Sequence, residues 1–68
     1  MEPTVQNHVR ERRSAAGWTQ QELADRATVS RQTINAVETG KYVPSLPLAL
    51  ILSRIFDTSV ESLFTLEP

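Results

Sequence analysis

Thr19 and Ser30 stand eleven positions apart, and each heads a segment that reads as a short helix. In Thr19-Gln20-Gln21-Glu22 the threonine hydroxyl can accept from the backbone N–H of Glu22 while the glutamate reaches back to the threonine N–H. The helix so opened should run to about Arg26 or Ala27. Leu23 and Ala27 turn inward, and Ala24 is small enough for a second helix to cross close by. Thr28-Val29 forms the connection, Ser30 caps the next helix, Ile34 and Val37 anchor it, and Gly40 ends it. Two helices on so short a link must cross at an angle and bury their facing sides. Arg31, Gln32, Thr33, Asn35 and Ala36 fall off the buried stripe, on the flank that points away from the core.

The rest of the chain supplies three more helices. The first is expected from about Thr4 to Ala16, with Val5, Val9 and Ala16 on one face and Gly17 as its stop. Trp18 follows and should fill the gap between the first and second helices. Lys41-Tyr42-Val43-Pro44 is a loop, since Pro44 disfavours helix at Val43. Ser45 then caps a fourth helix that tolerates Pro47 in its first turn. Leu48, Leu50, Ile51, Leu52, Ile55 and Phe56 make this helix apolar around much of its circumference, which calls for burial on more than one side. Asp57-Thr58-Ser59 closes it and caps a short fifth helix carrying Val60, Leu63 and Phe64. No strand pattern is long enough for a sheet core. The expected fold is all-α: one domain over residues 1–68, a compact five-helix bundle whose central helix pair spans about 19–40. Short arms are expected at 1–4 and 65–68, the second of them too brief to classify and compatible with an extended conformation.

A chain of 68 residues lies near the lower size limit for independent folding. With no cysteine it has no disulfide or thiolate metal site, and its single histidine, His8, is too little for a metal. Stability must come from well-capped helices or from dimerisation. No run approaches the roughly 20 apolar residues of a membrane span. Met1-Glu2-Pro3-Thr4 lacks the basic-then-apolar pattern of a signal peptide, so a cytoplasmic location is expected. No serine, histidine and carboxylate set or glycine-rich phosphate loop is present, so neither an enzyme nor a cofactor is expected.

Net charge is −1, but unevenly spread. Arg10, Arg12, Arg13, Arg26, Arg31 and Lys41 outnumber the acids through position 41, and beyond it Arg54 stands alone against Asp57, Glu61 and Glu67. A local field matters more than net charge when a ligand docks on one face. The ligand suggested by the off-core flank is double-stranded DNA. Arg31 can donate two bonds to guanine O6 and N7, and Gln32 can pair with adenine N6 and N7. Thr33 and Ala36 are placed to meet a thymine methyl, and Asn35 to reach a base or phosphate. A polar helix face is by default only solvated; the caps and core spacing around this one favour readout. Gln20 and Gln21 open a helix whose free N–H groups suit phosphate. Ser30, Lys41 and Tyr42 flank the readout helix as backbone contacts, with Arg10 a weaker candidate. Glu22 and Arg26 should pair on the surface at i,i+4.

The order Gly-Trp-Thr-Gln-Gln-Glu-Leu-Ala, Val-Ser-Arg-Gln-Thr-Ile-Asn, Val-Glu-Thr-Gly-Lys-Tyr, Pro-Ser-Leu resembles the Cro/C1-type (xenobiotic-response-element) helix-turn-helix regulators, over roughly residues 7 to 64. The resemblance implies a lambda-repressor-like domain that docks its third helix in the major groove. It implies a phosphate clamp at Gln20 and a partly buried ion pair of Arg13 with Glu38. Such proteins, among them small bacterial and phage regulators, usually act as homodimers on a palindromic operator, most often as repressors, in association with the nucleoid. The apolar surplus of Leu52, Ile55, Leu63, Phe64 and Leu66, together with Leu48 and Ile51, is assigned to the dimer contact. Two positions depart from the family pattern: Thr28 where glycine is usual, and Arg12 where an aliphatic residue is usual. Two rival functions remain, a DNA-binding antitoxin whose unknown protein partner covers the apolar rear, and a protein-interaction module that does not bind DNA.

Overall fold

A computed structural model describes residues 4–67. The order is β1 (Thr4–Asn7), α1 (Val9–Ala15), α2 (Gln20–Ala27), α3 (Arg31–Glu38), α4 (Leu46–Ile55), α5 (Val60–Leu63) and β2 (Phe64–Glu67). Five helices enclose one core of Val9, Leu23, Ala24, Ala27, Ile34, Val37, Leu48, Leu52 and Leu63. Trp18, Val29, Ile55, Phe56 and Phe64 pack around its edge.

The chain is not all-α. The segment expected to begin the first helix is a strand, and the expected C-terminal arm is its antiparallel partner, pairing Val5 with Leu66 and Asn7 with Phe64. Cross-strand partners share a face of the pleat, so Val5, Asn7, Phe64 and Leu66 line one side and Thr4, Gln6, Thr65 and Glu67 the other. The break between β1 and α1 is set by Asn7. Its side-chain oxygen accepts from the Val9 N–H at 3.2 Å, so the helix starts at Val9. Its amide nitrogen donates to the Val37 carbonyl at 2.9 Å, tying this corner to the end of α3. The described parts of both expected arms, Thr4 and residues 65–67, belong to the sheet; Met1–Pro3 and Pro68 lie outside the described residues.

The caps follow the sequence. Thr19 and Glu22 form the reciprocal cap, with Thr19 N–H to Glu22 Oε1 at 2.9 Å and Glu22 N–H to Thr19 Oγ1 at 3.1 Å. The backbone bond from Thr19, then its side chain, holds the Glu22 carboxyl below the ordinary range. Ser30, Ser45 and Ser59 cap α3, α4 and α5 through their hydroxyls. At the end of α3 the Gly40 N–H reaches the Val37 carbonyl and the Lys41 N–H the Ala36 carbonyl, a closure that needs a left-handed residue at Gly40, where φ is +79°.

The same closure ends α2, where Val29 N–H bonds Ala24 and Thr28 N–H bonds Asp25, but the left-handed residue there is Thr28, at φ 59°, ψ 42°. A left-handed L-residue costs roughly 1–2 kcal/mol, and β-branching makes it worse. Thr28→Gly is therefore expected to stabilise the fold by about 1 kcal/mol, raising Tm by about 4–8 °C for a domain of this size. Thermal unfolding followed by circular dichroism measures this directly.

Around α1 and α2, two side-chain expectations are corrected and one gains a further partner. Trp18, in the connection between α1 and α2, packs against the edge of the core. It also stacks on Phe56 at the end of α4, with ring centroids 5.7 Å apart. Arg26 does not pair with Glu22: its guanidinium lies 4.0 Å over the Trp18 ring, where the aromatic face attracts it. Glu22 is instead engaged by the Thr19 cap. Ala16, expected on the inner face of α1, is exposed beyond the last helical residue. Arg12 reaches along the edge to the Thr58 hydroxyl at 3.4 Å, so an arginine is accommodated without burying its charge.

Candidate nucleic-acid interface

The α3 helix presents two unlike sides. Ile34 and Val37 are buried, at 0% and 1% exposure. Arg31, Gln32 and Asn35 are exposed on the opposite flank, with Thr33 and Ala36 at its border. Among the described residues the side chains of Arg31, Gln32 and Asn35 form no hydrogen bond or ion pair with the rest of the chain. Long polar side chains held on a rigid helix with their donors unspent are what a groove of base edges can read. Ser30 starts the helix, accepting from the Thr33 N–H at 3.1 Å while its hydroxyl lies 2.9 Å from that of Thr33. Lys41 and Tyr42 follow, both exposed, their backbone N–H groups folded onto the Ala36 carbonyl.

The Arg13–Glu38 pair that the resemblance implied is present. Arg13 Nε donates to Glu38 Oε2 at 2.7 Å and Nη2 to Oε1 at 3.2 Å, with only 14% and 3% of the two side chains exposed. The hydrogen bond to Glu38 raises the Arg13 pKa further, so the guanidinium is charged throughout the accessible range. Arg13 Nη1 also donates to the Trp18 carbonyl at 2.8 Å, joining α1, the α1–α2 connection and the end of α3. Gln20 enters the same cluster through Nε2 to Glu38 Oε1 at 3.1 Å. Sequence reasoning treated Gln20 and Glu38 separately and missed this contact, as it missed the Asn7 tether; both join residues far apart in the chain.

The remaining candidates separate. Gln21 donates to Asp25 Oδ1 at 2.9 Å, one turn along its own helix, instead of standing free at the helix start. Arg10 is exposed on α1. His8 lies 3.4 Å from Glu11 at the head of α1. The assignment of Leu52 and Leu63 to a dimer contact is wrong: both are 0% exposed in the core of one chain, so no surface is left for a second copy. Ile55 and Phe64 are half-buried. Leu66 is 70% exposed, and α4 exposes Leu46, at 66%, with Leu50 and Ile51 on its outer side.

Capped helices crossing over a two-residue turn, the second with a free polar flank, define a helix-turn-helix DNA-binding domain. The chain belongs to the helix-turn-helix family, whose model matches residues 9–63, and it is a small regulator of the Cro/C1 type. YgzD of Bacillus subtilis, described as an uncharacterized HTH-type transcriptional regulator, is 43% identical over 63 residues, 93% of this chain and 96% of its own length. A protein of the same description from Archaeoglobus fulgidus is 45% identical over 60 residues, covering 88% and 86% of the two chains. One from Methanothermobacter thermautotrophicus is 47% identical over 60 residues, 87% of each. The relatives thus come from both bacteria and archaea. Among the described residues no helix is long and apolar enough to cross a membrane.

Proposed function

We propose that this chain is a sequence-specific DNA-binding regulator that acts as a homodimer on a palindromic operator, as a repressor. The observation that carries the reading is the free flank of α3, with Ile34 and Val37 pinned in the core and Arg31, Gln32 and Asn35 unpaired opposite them. Arg31 and Gln32 contact base edges, with Asn35, Thr33 and Ala36 beside them. Gln20, Ser30, Lys41 and Tyr42 hold the phosphate backbone on either side of the helix; Arg10 and Gln21 are at most peripheral. As a repressor it would act by occupying promoter DNA.

The exposed apolar residues of α4, Leu46, Leu50 and Ile51, with Leu66 of β2, support a second copy. A two-fold dimer sets two recognition helices about 34 Å apart, one turn of duplex. Sedimentation at micromolar concentration should give twice 7.6 kDa; a purely monomeric species rejects the dimer. Gel shifts against duplexes selected from a random pool, repeated over a salt series, test the DNA reading, which predicts affinity falling steeply as salt rises. In the same assay Lys41→Ala should weaken every duplex alike and reduce the salt slope by about one. A chain that selects no duplex leaves the protein-interaction alternative, for which the acidic balance is the support.

A further inference from the structure

We infer that Glu38 is a positioning residue for DNA, acting through Gln20, and not only the structural partner of Arg13. The inference rests on the DNA-binding reading proposed above. The Glu38 side chain is 3% exposed, and its carboxylate accepts from Arg13 Nε and Nη2 and from Gln20 Nε2. Arg13 is itself held by the Trp18 carbonyl, so the carboxylate cannot turn away. An ionised carboxylate only accepts, whereas a glutamine amide has a donor end and an acceptor end. Glu38 therefore fixes which end of Gln20 faces it. One N–H of Nε2 is bonded to Glu38, and flipping the amide would set carbonyl oxygen against carboxylate oxygen.

The consequence is a preset donor. With its nitrogen turned to Glu38, Gln20 keeps its second N–H for an acceptor, and a DNA phosphate offers only acceptors. Gln20 is the first residue of α2 and Glu38 the last of α3, so one carboxylate references the backbone clamp to the helix that reads bases. Glu38→Gln should undo this while leaving Arg13 Nε its acceptor at the Oε2 position; Oε1, which Arg13 Nη2 and Gln20 Nε2 share, becomes an amide nitrogen. The new amide must keep its oxygen toward the guanidinium, which turns its nitrogen to Gln20 and forces the Gln20 amide to flip.

The test is a double-mutant cycle on affinity for a duplex that the unaltered chain selects from a random pool. Gln20→Ala is expected to weaken binding about tenfold, the size of one charge-assisted hydrogen bond. Glu38→Gln should weaken it several-fold with base preference unchanged, and the double variant should be no weaker than Gln20→Ala alone. Additive losses overturn the inference while leaving DNA binding intact. A chain that binds no duplex overturns the DNA-binding reading, and this inference with it. If Glu38→Gln does not fold by circular dichroism, Glu38→Asp replaces it; that variant keeps the charge beside Arg13 and withdraws the carboxylate by one methylene. In the free protein the Gln20 side-chain N–H resonances should show a proton bonded to a carboxylate. Resonances matching those of free glutamine also overturn the inference.

Discussion

Arg13→Ala is expected to lose about 3–5 kcal/mol of stability, roughly a third or more of all that holds the chain folded. The substitution strands the carboxylate of Glu38, whose side chain is 3% exposed, with Gln20 as its one remaining side-chain donor among the described residues. Removing one partner of a buried ion pair costs about 3–5 kcal/mol. A chain of this length holds only about 3–10 kcal/mol in total. The loss also releases the Trp18 carbonyl, and with it the connection on which Trp18 stacks against Phe56. Urea unfolding followed by circular dichroism measures the effect. A loss below about 1 kcal/mol would mean that the pair is no stronger than an exposed one. The double replacement Arg13→Met with Glu38→Leu separates the two contributions. If the penalty is chiefly the unpaired charge, apolar side chains of similar volume should recover most of it.

That pair shows how far the residues could be read in advance. Arg13 and Glu38 are 25 positions apart, and nothing in their local surroundings marks them as partners; only the family resemblance joined them. Thr19, Ser30 and Ser45 were legible from the chain because a cap is satisfied within three residues. Ile34 and Val37 were legible because helical spacing puts them on one side. The sheet was not. Its strands are four residues each and come from opposite ends of the chain, so neither shows an alternation long enough to outweigh the helical spacing of Val5 and Val9. Leu52 and Leu63 failed for a related reason. Hydrophobicity says that a residue will be covered, but not whether its own chain or another covers it. Leu46 and Leu50, which the fold leaves exposed, look the same in the sequence as Leu48 and Leu52, which it buries.

The flank of α3 is the opposite case, because among the described residues the side chains of Arg31, Gln32 and Asn35 bond to nothing else in the chain. Arg31→Ala should leave stability within about 0.5 kcal/mol of the unaltered protein, as expected for an exposed side chain without a hydrogen bond or ion pair among the described residues. Its effect should appear only on DNA. A bidentate arginine–guanine contact discriminates by about 1–3 kcal/mol, or about 5- to 150-fold in affinity. Arg31→Ala should lose that much on the preferred duplex and much less on one altered at the contacted base pair. Selection from a random pool with each protein would show preference relaxed at one position per half-site and kept elsewhere. Unchanged preference across the whole site would show that Arg31 does not read bases. Arg13→Ala and Arg31→Ala would both weaken a gel shift on the preferred duplex, but for opposite reasons. The first loses the fold that aims α3, while the second keeps that fold and loses what α3 says to the groove. Only the pair of measurements, melting curve beside binding curve, assigns each arginine to its role.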